Sequence, residues 1–323
     1  MKRSHLLAAL VVFVLSLLLP LVVETGYALQ ILFRIYLFAA LGLAWNLVGG
    51  YAGQLSLGHA AYFGAGAYGL ALFSGKLGVS PWLAALMGVV VALACALLIG
   101  GVSFRLRGPY FVLATIAFAE VLRLIAKNLP AVTGGDVGVQ VPALFHGNVN
   151  RAFYWAAVML TALAFATTVA ISRARFGYYL MAIREDEDTA LSVGIGAART
   201  KLVALLVSAA LTAMAGALYG SLFLYIVPDQ VLSIDVSNEI AIVAMLGGAG
   251  TALGPIVGSV VLESASELFK DIFKEAHLLI YGVLLVVVVL FLPEGIIGTL
   301  AAFLRRRALF GGIKTGAKGV AAD

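Results

Sequence analysis

The chain has 323 residues, 63% of them hydrophobic and 11% charged, with a mean hydropathy of +1.07. Soluble domains carry about 25% charged residues, so a water-soluble enzyme or nucleic-acid-binding domain is excluded as the main body, and the formal charge of +5 is read as membrane topology rather than affinity for polyanions. The one cysteine, Cys95, excludes a disulfide framework or a cysteine-based metal site within the chain.

At the N-terminus, Met1, Lys2 and Arg3 precede an apolar run from Leu6 to Leu19, which has the outline of a signal peptide. No small-x-small cleavage site follows, and Pro20 to Tyr27 reads better as the end of an uncleaved first span. Apolar segments of spanning length (about 20 residues) lie at 6–23, 28–48, 56–74, 81–103, 109–129, 151–171, 202–224 and 277–293. Between the last two, 236–271 is too long for one span and breaks at Gly247-Gly-Ala-Gly250 and Gly254-Pro255. Read as a short descending helix and a longer ascending one, it raises the expected total to about ten helices.

Charge supports that count. With ten helices both termini face the cytoplasm, and 14 of the 21 basic residues fall on that side, including Lys2, Arg3, Arg105, Arg107, Arg173, Arg184 and the Arg305–Arg307 cluster. Nine helices would export the Arg305–Arg307 cluster, against the positive-inside rule. The expected architecture is all-α, a polytopic transmembrane helical bundle. It comprises one membrane domain, 1–300, and a basic cytoplasmic tail, 301–323. The outer segments 130–150 and 225–238 are long enough to form surface features.

Two Gly-rich breaks interrupt the spans. The first runs from Gly49 to Gly66 and carries Gly53, Gln54, Ser56, Gly58 and His59; the second carries Gly247, Gly248 and Gly250. Small residues let helices approach closely. A broken helix also frees backbone groups that a membrane tolerates only inside protein or along a cavity. These residues are therefore candidates for a path or gate, as are Thr133, Gly134 and Gly135 of an outer turn; tight helix packing is the competing reading. Glu120 and Arg123 lie three apart, and Glu263 and Glu267 four apart, each pair on one helical face. Intramembrane charge is costly and points to function, although Glu263 and Glu267 also begin a longer charged stretch typical of an interface.

No enzyme signature is present. The chain has no phosphate-cradling Gly-x-x-x-x-Gly-Lys-Ser/Thr loop and no His-Glu-x-x-His, and its four histidines are scattered. No catalytic residue, metal ligand or bound cofactor is expected, and transport energy would come from an ion gradient or another subunit.

The most informative polar element is the stretch 173–201 between two spans. Tyr179 to Val193 contains no proline or glycine and is expected to be helical. Arg184 is followed by four acids, Glu185, Asp186, Glu187 and Asp188, and the run ends at Gly194, a residue suited to a helix C-terminus. Its length and charge point to a docking surface for a soluble partner; a solvated topological loop is the alternative.

Asp188-Thr-Ala190-x-x-x-Gly194 resembles the Glu-Ala-Ala-x-x-x-Gly loop of ABC importer permeases. Ala182-Ile-Arg184-Glu-Asp-Glu187, Gly194-Ile, Lys201, Ser208-Ala-Ala and Ala215-Gly216-Ala-Leu218 are similar to the LivM-type permeases of branched-chain amino-acid importers. Supporting stretches are Gly53-Gln-Leu-Ser-Leu-Gly-His59, Arg107-Gly-Pro-Tyr-Phe-Val-Leu-Ala-Thr115, Thr133-Gly-Gly135, Leu246-Gly-Gly-Ala-Gly250, Leu253-Gly-Pro255 and Phe291-Leu-Pro-Glu-Gly295, so the likeness runs from about residue 30 to residue 300. Asp188 and Thr189 depart from the usual Glu and Ala.

The resemblance implies a bacterial cytoplasmic-membrane permease subunit. It would work with a homologous permease, two cytoplasmic ATP-binding subunits that use ATP and Mg, and a periplasmic substrate-binding protein. Arg184 to Gly194, Ala190 included, would be the element that contacts the ATPases. The implied cargo is a branched-chain or other hydrophobic amino acid. Related permeases serve urea and short amides, and an ion-coupled secondary transporter using Glu120, Glu263 or Glu267 is the competing class.

Overall fold

A computed structural model describes residues 16, 17, 19, 20, 25–106, 108–145, 147, 149–273, 282 and 295–300. The expected spans at 6–23 and 277–293 lie almost wholly outside the described residues, and the basic tail 301–323 lies entirely outside them.

Eight long helices are described. α1 (Gly26–Asn46) ends in a π-helical turn, Leu47–Tyr51, and an irregular stretch leads to α2 (His59–Gly75). α3 (Pro81–Ser103) and α4 (Pro109–Asn128) each start on a proline, whose missing N–H costs nothing in the first turn. The short α5 (Pro130–Thr133), a 3-10 turn at Gly135–Val137 and strand β1 (Val139–Gln140) lead to α6 (Val149–Arg173). Two short helices, α7 (Arg175–Glu185) and α8 (Glu187–Ser192), precede α9 (Ala197–Phe223). Strand β2 (Tyr225–Ile226), the short α10 (Pro228–Val231), α11 (Ile234–Gly247) and α12 (Gly254–Phe273) follow.

Six segments are long and apolar enough to cross a membrane by length and composition: Gly26–Tyr51, Pro81–Ser103, Pro109–Asn128, Val149–Arg173, Ala197–Phe223 and Pro228–Gly247. α2 is shorter, at 17 residues. α12 carries Glu263 at its midpoint and Glu267 one turn further on. The region 236–271 is two helices, as the Gly/Pro break requires.

The turns between helices gather at two ends. At one, Arg184 reaches Gly50, Glu187 pairs with Lys201, and Gly295 lies against Gly248. At the other, Lys76 donates to the carbonyl of Ala131, Arg123 pairs with Asp229, and β1 pairs with β2 in the register Val139↔Ile226 and Gln140↔Tyr225. The eight long helices therefore alternate in direction between an Arg184 end and an Asp229 end.

α1 is the central helix: every residue from Leu37 to Val48 is buried, and it packs against α6, α9, α11 and α12. α3 and α4 form the rim and expose Trp82, Leu86, Val90, Leu98, Leu113 and Val121, an apolar surface of the kind lipid covers. α2 is held by small-residue contacts, with Gly69 against Gly88 and Gly66 against Ala213. Such contacts let backbones approach closely where no hydrophobic driving force separates helix from lipid.

Candidate functional site

The expected single helix from Tyr179 to Val193 is two helices. The chain breaks at Asp186, whose backbone is extended (φ −159°, ψ 115°). Asp186 caps α8: its Oδ1 accepts the Thr189 N–H at 2.6 Å. An N-cap carboxylate satisfies an otherwise orphaned amide and is worth about 1 kcal/mol, which makes the break the favoured conformation here. Gly194 stands beyond the helix at φ +86°, and the Ile195 N–H returns to the Ala190 carbonyl at 3.0 Å, closing a Schellman-type end. Ala190 is buried with Ile183 and Ala197.

The four acids therefore do different things. Asp186 caps. Glu187 accepts an ion pair from Lys201 at 2.6 Å, and the Lys201 side chain is only 1% exposed. Glu185 and Asp188 are exposed.

Arg184 is the contact between this element and the helix breaks. Its Nη1 donates to the Gly50 carbonyl at 2.7 Å, inside the π turn that ends α1. The same guanidinium nitrogen lies 2.5 Å from where a Cβ on Gly250 would stand, and the Arg184 Cγ lies 2.9 Å from the corresponding point on Gly53, which sits at φ +67°. One side chain thus touches both Gly-rich breaks, and a larger residue at Gly53 or Gly250 would displace it.

The two breaks also bond to each other. Asn46 Nδ2 donates to the Thr251 carbonyl at 2.8 Å, and the Gly250 N–H donates to Asn46 Oδ1 at 2.7 Å. A Cβ on Gly50 would stand 2.4 Å from the Gly250 amide nitrogen, so the backbones meet where only glycine fits. Sequence reasoning missed Asn46; the signal was an amide within an apolar span, three residues before Gly49. Gly247 and Gly248 sit at the end of α11, against Gly254 and Gly295.

The other expected path residues follow in the stretch 52–59. The Trp45 indole donates to the Ser56 carbonyl at 2.7 Å, and the Leu57 N–H donates to Thr115 Oγ1 at 3.2 Å. His59 is fully buried, with Nε2 2.9 Å from Ser208 Oγ and its ring edge-on to Tyr62. Among the described residues, the buried atoms His59 Nδ1, Ser56 Oγ and Tyr62 Oη have no hydrogen-bond partner. Gly53, Gln54 and Leu55 line an open pocket of about 480 Å³ with Gly108, Pro109 and Phe111 at the start of α4. Gly58 packs on Thr115.

Thr133, Gly134 and Gly135 are not part of this assembly. They stand at the Asp229 end, where Thr133 Oγ1 bonds the Ala126 and Leu129 carbonyls and Gly134 takes φ +76° to close the turn. The expected Glu120–Arg123 pair forms there, with Arg123 Nε 2.8 Å from Glu120 Oε2. It extends to Asp229, and Lys127 bridges Asp229 at 2.9 Å and Asp136 at 3.2 Å. Glu263 is buried, its Oε2 3.2 Å from Arg34 on α1. Among the described residues, no three His, Cys, Asp or Glu side chains gather as metal ligands.

Apolar helices that alternate between two ends, with two broken helices joined at one of them, define an integral membrane protein of many spans. Residues 27–289 match the family described as branched-chain amino acid transport system, permease component, and the chain belongs to that family. It is 29% identical over 324 aligned positions to the high-affinity branched-chain amino acid transport system permease protein LivM of Salmonella typhimurium, covering 92% of this chain and 75% of that protein. The LivM of Escherichia coli K12 gives the same identity and coverage. The corresponding LivH of Escherichia coli K12 is 26% identical over 292 positions, covering 81% of this chain and 91% of that protein. No solved structure gives a significant match.

Proposed function

We propose that this permease is the membrane subunit of an ATP-driven importer of branched-chain or other hydrophobic amino acids, and that α7 and α8 carry motion from cytoplasmic ATPases to the helix breaks. The observation that carries this reading is the Arg184 contact: one cation on an exposed polar element bonds the Gly50 carbonyl and packs on Gly53 and Gly250. Because Asn46 ties the two breaks together, displacement of α7 would move both. The π turn at Leu47–Tyr51 is a local weak point in the helix ladder, a feature frequent at functional sites.

In this reading Residues 1–300 form one permease domain, and the Arg184 end and both termini face the cytoplasm of a bacterial inner membrane. The positive-inside distribution of Arg105, Arg173, Arg175, Arg184 and Arg199 supports that orientation. ATP and Mg are used by two partner subunits; this chain binds no cofactor and catalyses no reaction. A periplasmic binding protein would dock at the Asp229 end. Likeness to both LivM and LivH of one organism fits a membrane domain built from two homologous permeases.

The test is Arg184→Gln in the complete complex reconstituted in liposomes. The expected result is normal assembly and ATP hydrolysis with amino-acid uptake reduced about tenfold or more, since a charge-assisted bond across the junction is lost. Reversing the exposed pair Glu185 and Asp188 is expected to weaken ATPase recovery instead. Wild-type uptake in an assembled Arg184→Gln complex would remove the coupling reading. Uptake that persisted without ATP and collapsed with an ion gradient would establish the secondary-transporter class.

A further inference from the structure

Arg34 on α1, Glu239 on α11 and Glu263 on α12 form a mixed-charge group drawn from three helices. Arg34 Nη2 lies 3.2 Å from Glu263 Oε2 and 3.9 Å from Glu239 Oε1. Glu263 is buried, its side chain 5% exposed, whereas Arg34 and Glu239 keep 33% and 32% of theirs accessible. Arg34 is eight residues into α1 and Glu239 five into α11, which at 1.5 Å per residue places them about 12 and 8 Å below the helix starts. Accessible charge at that depth faces protein or a water-filled cavity rather than lipid.

An aromatic row runs beside the charges. Tyr219 lies on α9, which packs against α1, the helix that carries Arg34. Its ring is 5.3 Å from that of Phe63 and 4.6 Å from that of Phe223, and Phe223 is half-exposed. Small-molecule sites combine an apolar lining with a few convergent polar groups that fix orientation. Here a cation, two carboxylates and an aromatic wall stand together at the Asp229 end of the central helix.

We infer that this group is a recognition site for the head of a zwitterionic amino acid, with Arg34 taking its carboxylate, Glu239 and Glu263 taking its ammonium, and the Tyr219–Phe223 wall receiving an apolar side chain. The inference rests on the proposed import of hydrophobic amino acids and adds where the permease itself reads the molecule. In the unliganded group Arg34 holds the two acids; an entering zwitterion supplies a carboxylate to Arg34 and an ammonium to the two acids, so every charge in the group keeps an opposite partner. This assignment also differs from ion coupling, since Glu263 is engaged by a fixed cation.

The complete importer, reconstituted in liposomes with saturating binding protein, is the material for the test. Glu239→Gln and Arg34→Gln are compared with wild type for labelled leucine uptake, ATP hydrolysis and subunit assembly. In parallel, saturation-transfer NMR on the detergent-solubilised complex without binding protein uses leucine, 4-methylpentanoate (no ammonium) and 3-methylbutylamine (no carboxylate). Assembly is expected to be unchanged and the ATP consumed per leucine transported to rise about tenfold in each variant. The wild-type complex is expected to give the strongest transfer to leucine. Glu239→Gln is expected to lose the preference for leucine over 4-methylpentanoate, and Arg34→Gln the preference over 3-methylbutylamine. A merely structural ion pair would lower assembly without changing ligand preference.

Wild-type transfer that does not distinguish the three ligands, or unchanged preference in both variants, would overturn the inference. So would full recovery of leucine uptake in an Arg34→Glu/Glu263→Arg double variant, which rebuilds the pair but inverts the site. Absence of leucine uptake by the wild-type importer would instead count against the underlying function.

Discussion

The two ends of the bundle are joined by different means. At the Arg184 end, glycine backbones meet glycine backbones, the two breaks are bonded by one buried amide, Asn46, and touched by one arginine that reads a carbonyl, and Glu187 pairs with a buried Lys201. At the Asp229 end, Arg123, Lys127, Glu120, Asp136 and Asp229 form a chain of ion pairs, most of it open to solvent. Close backbone contacts have two discrete arrangements, packed or apart, whereas solvated ion pairs exchange partners at little cost. The first end suits a gate that moves as a unit; the second suits a rim that holds its shape loosely while something lands on it.

The contrast breaks first at Gly50. A Cβ there would stand 1.8 Å from Asn46 Oδ1 and 2.4 Å from the Gly250 nitrogen, the latter being backbone that cannot rotate away. Gly50→Val is expected to destabilise by about 3 kcal/mol or more through overpacking and to abolish uptake. Gly101→Ala on α3, with nothing within 4 Å, is expected to leave both melting temperature and uptake unchanged. A Gly50→Val permease that melted like wild type in detergent would refute the packed junction.

Next comes Lys201, buried with Glu187 as its partner. Glu187→Gln leaves that ammonium without its carboxylate and is expected to cost about 3 kcal/mol, as half-broken buried pairs do. Lys201→Met added to Glu187→Gln is expected to recover most of the loss. Strictly additive losses in a double-mutant cycle would show that the pair does not couple α8 to α9.

What the sequence disclosed and what it hid divide along the same physical line. Spans were legible because apolar length is a local property: 81–103 was read to the residue, and the Gly247–Pro255 break was rightly placed between two helices. The Gly194 helix end was legible for the same reason. The break at Asp186 was not, because helix propensity favours Tyr179–Val193 throughout and a capping bond outweighs it. Tertiary pairings were invisible: Asn46 and Gly250 are 204 positions apart, and nothing in either neighbourhood names the other. Thr133, Gly134 and Gly135, expected in an outer turn, stand at the end of the bundle opposite the two breaks.

Asn46 gives a smaller effect than the steric and buried-charge changes. Asn46→Ala removes two bonds between the breaks and is expected to cost about 1–3 kcal/mol, with single polar contacts between membrane helices each contributing about 0.6–1.7 kcal/mol. The loss should register as a lower melting temperature in detergent that does not change with salt. An Asn46→Ala permease as stable as wild type would mean that glycine packing alone holds the junction.

The smallest expected effect sharpens the comparison most, because its size depends on the solvent. Asp229 bonds both Arg123 and Lys127, yet its side chain is 55% exposed. Exposed pairs contribute about 0–1 kcal/mol each, and at 0.1 M salt charges are screened beyond about 10 Å. Asp229→Asn is therefore expected to lower stability by less than about 1 kcal/mol at low ionic strength, and the difference should vanish near 1 M salt. Melting curves of Asp229→Asn and Asn46→Ala across a salt series then separate the two ends directly, one difference shrinking and the other constant. If the Asp229→Asn difference persisted at high salt, the ion pairs at that end would be desolvated in the folded protein, and the rim would be as firmly set as the junction.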